Sequence, residues 1–226
     1  MKRIYLLIIV GTIFVTTSQP AAHAGANGKV DEILLNMQRA ASVIRTLQAT
    51  LNQETRNTVL GGRGETYTGE VFFQHVGRNV DRVRISYTKP SGRVVVVKEN
   101  QIFLYEKSTN QCFKSTRSSL ASKNQEFSFF ATPYSLTSAD MKARYDIAYV
   151  NEENGKEVLE LTPRNPSSVK KMRWWVDKTS WLPIKTQMVE QDETTTFALT
   201  GTRINDKSFG MKFDDPCPPG AEVIKR

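Results

Sequence analysis

Histidine is nearly absent from this chain. Its 226 residues include two, His23 and His75, together with two cysteines, Cys112 and Cys217. A Ser-His-Asp or Cys-His catalytic group would have to be built on a single histidine, and a zinc site would lack ligands. There is no G-x-S-x-G elbow, and Gly62-Arg63-Gly64 is not followed by the spacing of a phosphate loop. The carboxylate pairs Glu152-Glu153 and Asp214-Asp215 fall in turn-like surroundings or near the end of the chain, where solvated acids are the ordinary reading. The expected complement of catalytic residues, metal ligands and cofactors is therefore none. Concentrated charge is missing too. The formal net charge is +8, but the basic residues are scattered, with Lys170-Lys171-x-Arg173 the one tight group. That is a basic surface rather than a nucleic-acid face.

No apolar run is long enough for a comfortable transmembrane helix. The stretch Ile4 to Val15 follows Lys2 and Arg3 and precedes Ala22-His23-Ala24, a small-x-small cleavage site. Residues 1–24 thus read as a secretory signal peptide cut after Ala24. Residues 25–226 remain as a single domain, long enough for a sizeable core. An exported chain meets an oxidising compartment, so Cys112 and Cys217 are candidates for a disulfide, with two buried thiols as the alternative. Such a bridge would close a loop of roughly 100 residues.

What the chain does have is alternation. Val30, Ile33, Leu34, Met37, Ala41 and Ile44 predict an amphipathic helix. From Leu47 the period becomes two, and about ten or eleven short strands follow at turn-punctuated spacing. They include Tyr67 to Phe73, Val83 to Tyr87, Arg93 to Val97, Gln101 to Tyr105, Asp146 to Val150, Glu157 to Thr162, Met172 to Val176, Leu182 to Glu190, Thr194 to Leu199 and Phe209 to Phe213. Between Leu120 and Tyr145 the meander breaks around Phe127, Phe129, Phe130 and Tyr134, and Ser138-Ala139-Asp140-Met141 predicts a helix start. In Phe72 to Pro90, Arg82 and Arg84 alternate with Val83, Ile85 and Tyr87, which places the arginines on the solvent side. An antiparallel sheet with too few helices to cover it curls and acquires an inner face. That face either lines a hollow or fills a solid core, and the pattern alone does not choose.

Several segments carry a resemblance. Leu47 to Gln53, Gly69-Glu70-Val71-Phe72-Phe73, Arg84 to Pro90, Glu99 to Tyr105, Leu161-Thr162-Pro163-Arg164, Val189-Glu190-Gln191-Asp192 and the tail Phe213 to Ile224 are similar, in order and spacing, to the periplasmic outer-membrane lipoprotein carriers, the LolA-like proteins. The resemblance implies an α+β fold: an incomplete, strongly curved antiparallel β-barrel with helices as a lid over a hydrophobic cavity. It implies a monomeric periplasmic carrier that shields the acyl chains of lipoproteins. Its partners would be acylated lipoproteins or lipids, an inner-membrane releasing transporter and an outer-membrane acceptor, with no nucleic acid. Carriage of another lipid or glycolipid, or a lipid-sensing regulatory role, are the alternatives. Leu47, Leu51, Val71, Phe73, Val83, Ile85, Tyr87, Phe129 and Phe130 would line the cavity. The family's lid-latching arginine lies in an R-P-N-x-F pattern that this chain lacks. Its place falls on His75 or, with a longer hairpin, on Arg78, and the following aromatic place falls on Val83.

Overall fold

The computed structural model describes residues 22–59, 61, 64–76, 80–90, 92–116, 137–165, 168–211 and 213–225. Helix α1 spans Ala22–Val43 and buries Val30, Ile33, Leu34 and Met37, the stripe that the 3.6-residue period predicts. It stops where Asn205 intervenes. The Asn205 side chain donates to the Val43 carbonyl at 2.9 Å and accepts from the backbone amides of Arg45 and Thr46 at 2.7 and 3.1 Å. Helix α2, Ser138–Arg144, opens with a capping box between Thr137 and Asp140, which satisfies two amides at its start.

Among the described residues the strands are β1 Thr46–Asn57, β2 Glu65–Val76, β3 Val80–Lys89, β4 Arg93–Lys98, β5 Gln101–Glu106, β6 Gln111–Thr116, β7 Tyr145–Glu153, β8 Lys156–Pro163, β9 Lys171–Asp177, β10 Pro183–Val189, β11 Glu193–Ile204 and β12 Glu222–Lys225. They form one sheet in the order β12-β6-β5-β4-β3-β2-β1-β11-β10-β9-β8-β7. The ends of that order do not pair, so the sheet is a curved, open barrel. All pairings are antiparallel except that of β12 with β6. Twelve strands replace the ten or eleven expected. Phe209 to Phe213, expected as a strand, is not one: residues 209–211 and 213 have no strand pairing, and the last strand is β12 instead.

Bulges bend the sheet. Register shifts occur between Gln48 and Thr50, between Thr68 and Gly69, and between Tyr149 and Asn151, and each extra residue adds local twist. At the first, Gly201 on β11 takes a φ of +60°, a backbone conformation that glycine adopts without a Cβ penalty. At the second, a Cβ on Gly69 would lie 2.3 Å from the Ser86 carbonyl oxygen and 2.8 Å from Tyr87 Cα. Gly69 is there because β3 passes too close for any side chain.

Both faces of the sheet are apolar. The concave one carries Leu47, Ala49, Leu51, Val71, Phe73, Ile85, Leu159, Leu161, Met172 and Trp174 and packs with α1 and with Met141 of α2 into one cluster. The convex one carries Phe72, Val96 and Phe103, which pack with Phe209, Met211 and Phe213 of the C-terminal segment. That segment is tied down by the Cys112–Cys217 disulfide and by an ion pair from Lys114 to Asp215, before β12 adds itself to the sheet edge. The expectation of a solvated convex side is corrected here. Arg82 pairs with Glu99 at 3.1 Å, and Arg84 is half-buried beside this segment. Burial lowers the Arg84 pKa, and Asp214 opposes that shift.

Replacing Gly69 with Ala is expected to destabilise the fold by about 1–3 kcal/mol through overpacking at the bulge, read as a shift of the urea midpoint. Replacing Cys217 with Ser removes a crosslink across a sequence separation of 105. A loss of about 2–4 kcal/mol is expected, with increased binding of an apolar dye as Phe72 and Phe103 are uncovered.

Candidate functional site

Strand alternation brings seven sequence-predicted residues to one surface. Leu47 and Leu51 of β1, Val71 and Phe73 of β2, and Val83, Ile85 and Tyr87 of β3 are all buried in the concave cluster. Phe129, Phe130 and Arg78 lie outside the described residues. His75 stacks against the Phe73 ring at 6.5 Å, and its amide donates to the Arg45 carbonyl at 2.8 Å where α1 gives way to β1. Cys112 and Cys217 are joined, and the bridge sits on the convex face. Asp215 stands beside it, but both sulfurs are in the disulfide and are not free thiolate ligands.

The surface is wider than the sequence reading made it. Val30, Ile33, Leu34 and Met37 of α1 belong to it, as do Leu159 and Leu161 of β8, Met172, Trp174 and Val176 of β9, Met188 of β10 and Phe197 of β11. Their period is legible in the sequence, but which strand faces meet across the sheet is not. The result is a continuous apolar lining drawn from most of the strands, with α1 laid against it.

Besides the Trp174 indole, polar groups enter this lining at two places. At one, the Tyr87 hydroxyl donates to Gln53 Oε1 at 2.6 Å, and Thr55 and Thr195 share a hydrogen bond at 3.3 Å. At the other, Glu157 shares the parity of Leu159 and Leu161, so β8 points a carboxylate into the same face. Glu157 is 1% exposed. Lys29 of α1 stands 2.9 Å from its Oε1, an ion pair rather than an aligned hydrogen bond, since neither carboxylate oxygen has a well-directed donor among the described residues. The carboxylate raises the Lys29 pKa. Tyr149 of β7 has its pKa raised by burial first and by Glu157 second. The alternation in Lys156-Glu157-Val158-Leu159-Glu160-Leu161 carries this signal, since a carboxylate in phase with two leucines is an inward one.

Lys29 is the tie that fastens the first turns of α1 to the sheet. Further along, Lys142 of α2 pairs with Asp31, and the Ser138 amide donates to Gln38 Oε1 at 2.8 Å. With the Asn205 clip at its other end, α1 crosses from β8 to β1 over the apolar lining. Outside, Glu160 bridges Lys171 and Arg173 at 2.8 Å each, and these two bonds lower its pKa. Lys185 sits 4.0 Å over the Trp175 ring. Among the described residues no helix is long and apolar enough to cross a membrane.

The family model for "Outer membrane lipoprotein carrier protein LolA" matches residues 42–213, most of the chain. Among solved structures, an uncharacterised conserved protein of Thermus thermophilus is similar at 14% identity and TM-score 0.53, with 88% of this chain and 99% of that one covered. MucB is similar at 15% identity and TM-score 0.52; 86% of this chain is covered, and the match spans 64% of MucB. The Mycobacterium tuberculosis lipoprotein LppX is similar at 10% identity and TM-score 0.49, with 84% of this chain and 100% of that one covered. At these identities the Thermus thermophilus protein and MucB speak to the fold alone. No curated protein matches the chain.

Lys29→Met strands a buried carboxylate, so a loss of about 1–3 kcal/mol is expected at neutral pH, with most of it recovered in the double variant with Glu157→Gln. The lysine pKa is raised above its ordinary 10.5. Its contribution is therefore complete below that value and lost as pH rises through the raised one. An alkaline stability loss in the wild type that Lys29→Met lacks, followed by circular dichroism, checks this.

Proposed function

Since the chain belongs to the LolA family of outer-membrane lipoprotein carriers, we propose that it shelters acyl chains on the concave face and carries lipoproteins through the periplasm. The supporting observation is the apolar lining itself, contributed by most of the strands and covered by α1 and by Met141 of α2, with α1 held by its own apolar stripe and a few polar ties. Each methylene removed from water contributes about 0.8 kcal/mol, so a triacylated anchor needs such a shelter to cross an aqueous space. The inventory of side chains suits binding rather than catalysis. In this reading the chain is exported by residues 1–24 and works as a monomer. It takes cargo from an inner-membrane releasing transporter and gives it to an outer-membrane acceptor. Leu47, Leu51, Val71, Phe73, Val83, Ile85 and Tyr87 meet the acyl chains. Phe129 and Phe130 join them, and Arg78 or His75 helps to hold the lid, on the strength of the sequence.

The test is to express the chain with its own leader, purify it without detergent, and analyse what accompanies it by native mass spectrometry. Acylated proteins are expected. Val83→Asp, which places a charge in the lining, should abolish their recovery. Free lipid with no acylated protein would turn the reading to general lipid transport, and the absence of any acyl compound would overturn it.

A further inference from the structure

The concave face is apolar with two kinds of polar exception, and they differ in one respect. Tyr87 and Gln53 satisfy each other. Trp174 does not have such a partner: its side chain is 0% exposed, and its indole Nε1 has no hydrogen-bond acceptor among the described residues. A buried donor left unmade is destabilising by about 1–3 kcal/mol, and most buried polar groups in folded proteins avoid it. A phenylalanine, though smaller, would bring no donor to satisfy.

The register around Trp174 is informative. Trp174 is opposite Leu159 on β8 and Thr186 on β10. One step towards the β7–β8 hairpin, Glu157 is opposite Val176, and one step the other way, Leu161 is opposite Met172. Successive same-face positions on a strand are about 6.6 Å apart. The face is therefore layered. A carboxylate with Lys29 and Tyr149 lies nearest the hairpin rim, an unmet N–H donor lies one step deeper, and aliphatic and thioether side chains lie beyond. Lys29 is 31% exposed, so the rim layer is the wet one. A lipid has the same layering: a polar head, then the carbonyl that joins head to tail, then hydrocarbon.

We infer that the Leu159–Trp174 step is a carbonyl subsite, in which the Trp174 indole N–H donates to the ester or amide carbonyl of an acyl chain. The head lies towards Glu157 and Lys29, and the tail lies over Leu161 and Met172. The inference rests on the proposed acyl-sheltering role and adds to it an orientation and a preference for acyl over alkyl chains. The carbonyl satisfies a donor that is orphaned in the ligand-free fold, so binding is favoured beyond what burial of hydrocarbon supplies.

The test compares a short-chain diacylglycerol with the dialkyl ether of the same length, which keeps the tails and the head but lacks the carbonyls. The wild type is expected to bind the ester about five- to tenfold more tightly, the worth of one hydrogen bond. Trp174→Phe is expected to bring the ratio close to one while retaining the ether's affinity. In the wild type alone, the indole N–H resonance that Trp174→Phe removes should move downfield with the ester and stay with the ether. Equal affinities with a stationary resonance would overturn the subsite and leave the acyl shelter standing. If neither compound bound, both would fall.

Discussion

A sheet that curls without closing has two faces and two edges to protect, and this one is apolar on both faces. That constraint organises the rest of the molecule. The concave face is covered by α1 and α2. The convex face is covered where Phe72, Val96 and Phe103 come through, by Phe209, Met211 and Phe213. One edge is extended by β12, whose four residues lie parallel to β6. An exposed edge is a template for unwanted pairing, and the short parallel strand limits it.

The two covers are fastened differently. The convex one has a covalent bond, an ion pair and three apolar side chains. The concave one is held at α1 by Lys29–Glu157, by Asp31–Lys142, by the bond from Ser138 to Gln38 and by the Asn205 clip. The exposed Asp31–Lys142 pair contributes little, and Lys29–Glu157 mainly offsets the desolvation of its own buried carboxylate. The apolar stripe of α1 is therefore the main adhesive, and a guest with longer hydrocarbon can compete with it on equal physical terms. The proposed carrier role would use this asymmetry, with one wall holding the curvature while the other yields.

The period-two pattern makes most of the fold legible. It finds nearly all the strands, assigns Leu47, Leu51, Val71, Phe73, Val83, Ile85 and Tyr87 to one face, and marks the amphipathic stripe of α1. It fails where both faces of a strand are apolar. Phe72-Phe73 and Val94-Val95-Val96-Val97 contain no polar phase, so nothing in them announces a second layer outside. The C-terminal segment reads as a strand because Phe209, Met211 and Phe213 alternate. They alternate because one side presses on the sheet, with no neighbour to pair with. Arg84 falls on the correct face and in the wrong environment for the same reason. The sequence offers Cys112 and Cys217 as candidates for a bridge and leaves the pairing open; the structure joins them. The purpose of the bridge is visible only with the segment it anchors laid across the convex face.

Polar residues inside an apolar lining are of two kinds, and satisfaction distinguishes them. A donor and acceptor that meet, as Tyr87 and Gln53 do, specify register and fix two strands to each other at little net penalty. A donor that meets nothing adds no rigidity and lowers stability, so its presence asks for a reason. Trp174 is of that kind, and its position between a charged layer and an aliphatic one is where the linkage of a lipid would lie. Glu157 occupies a middle ground: it is charge-balanced by Lys29 yet poorly hydrogen-bonded, and in the proposed carrier it would tie α1 to the sheet before loading. If the proposed carrier role holds, the same few atoms would weaken the empty form and strengthen the loaded one, which is the thermodynamic condition for a ligand to shift the balance between them.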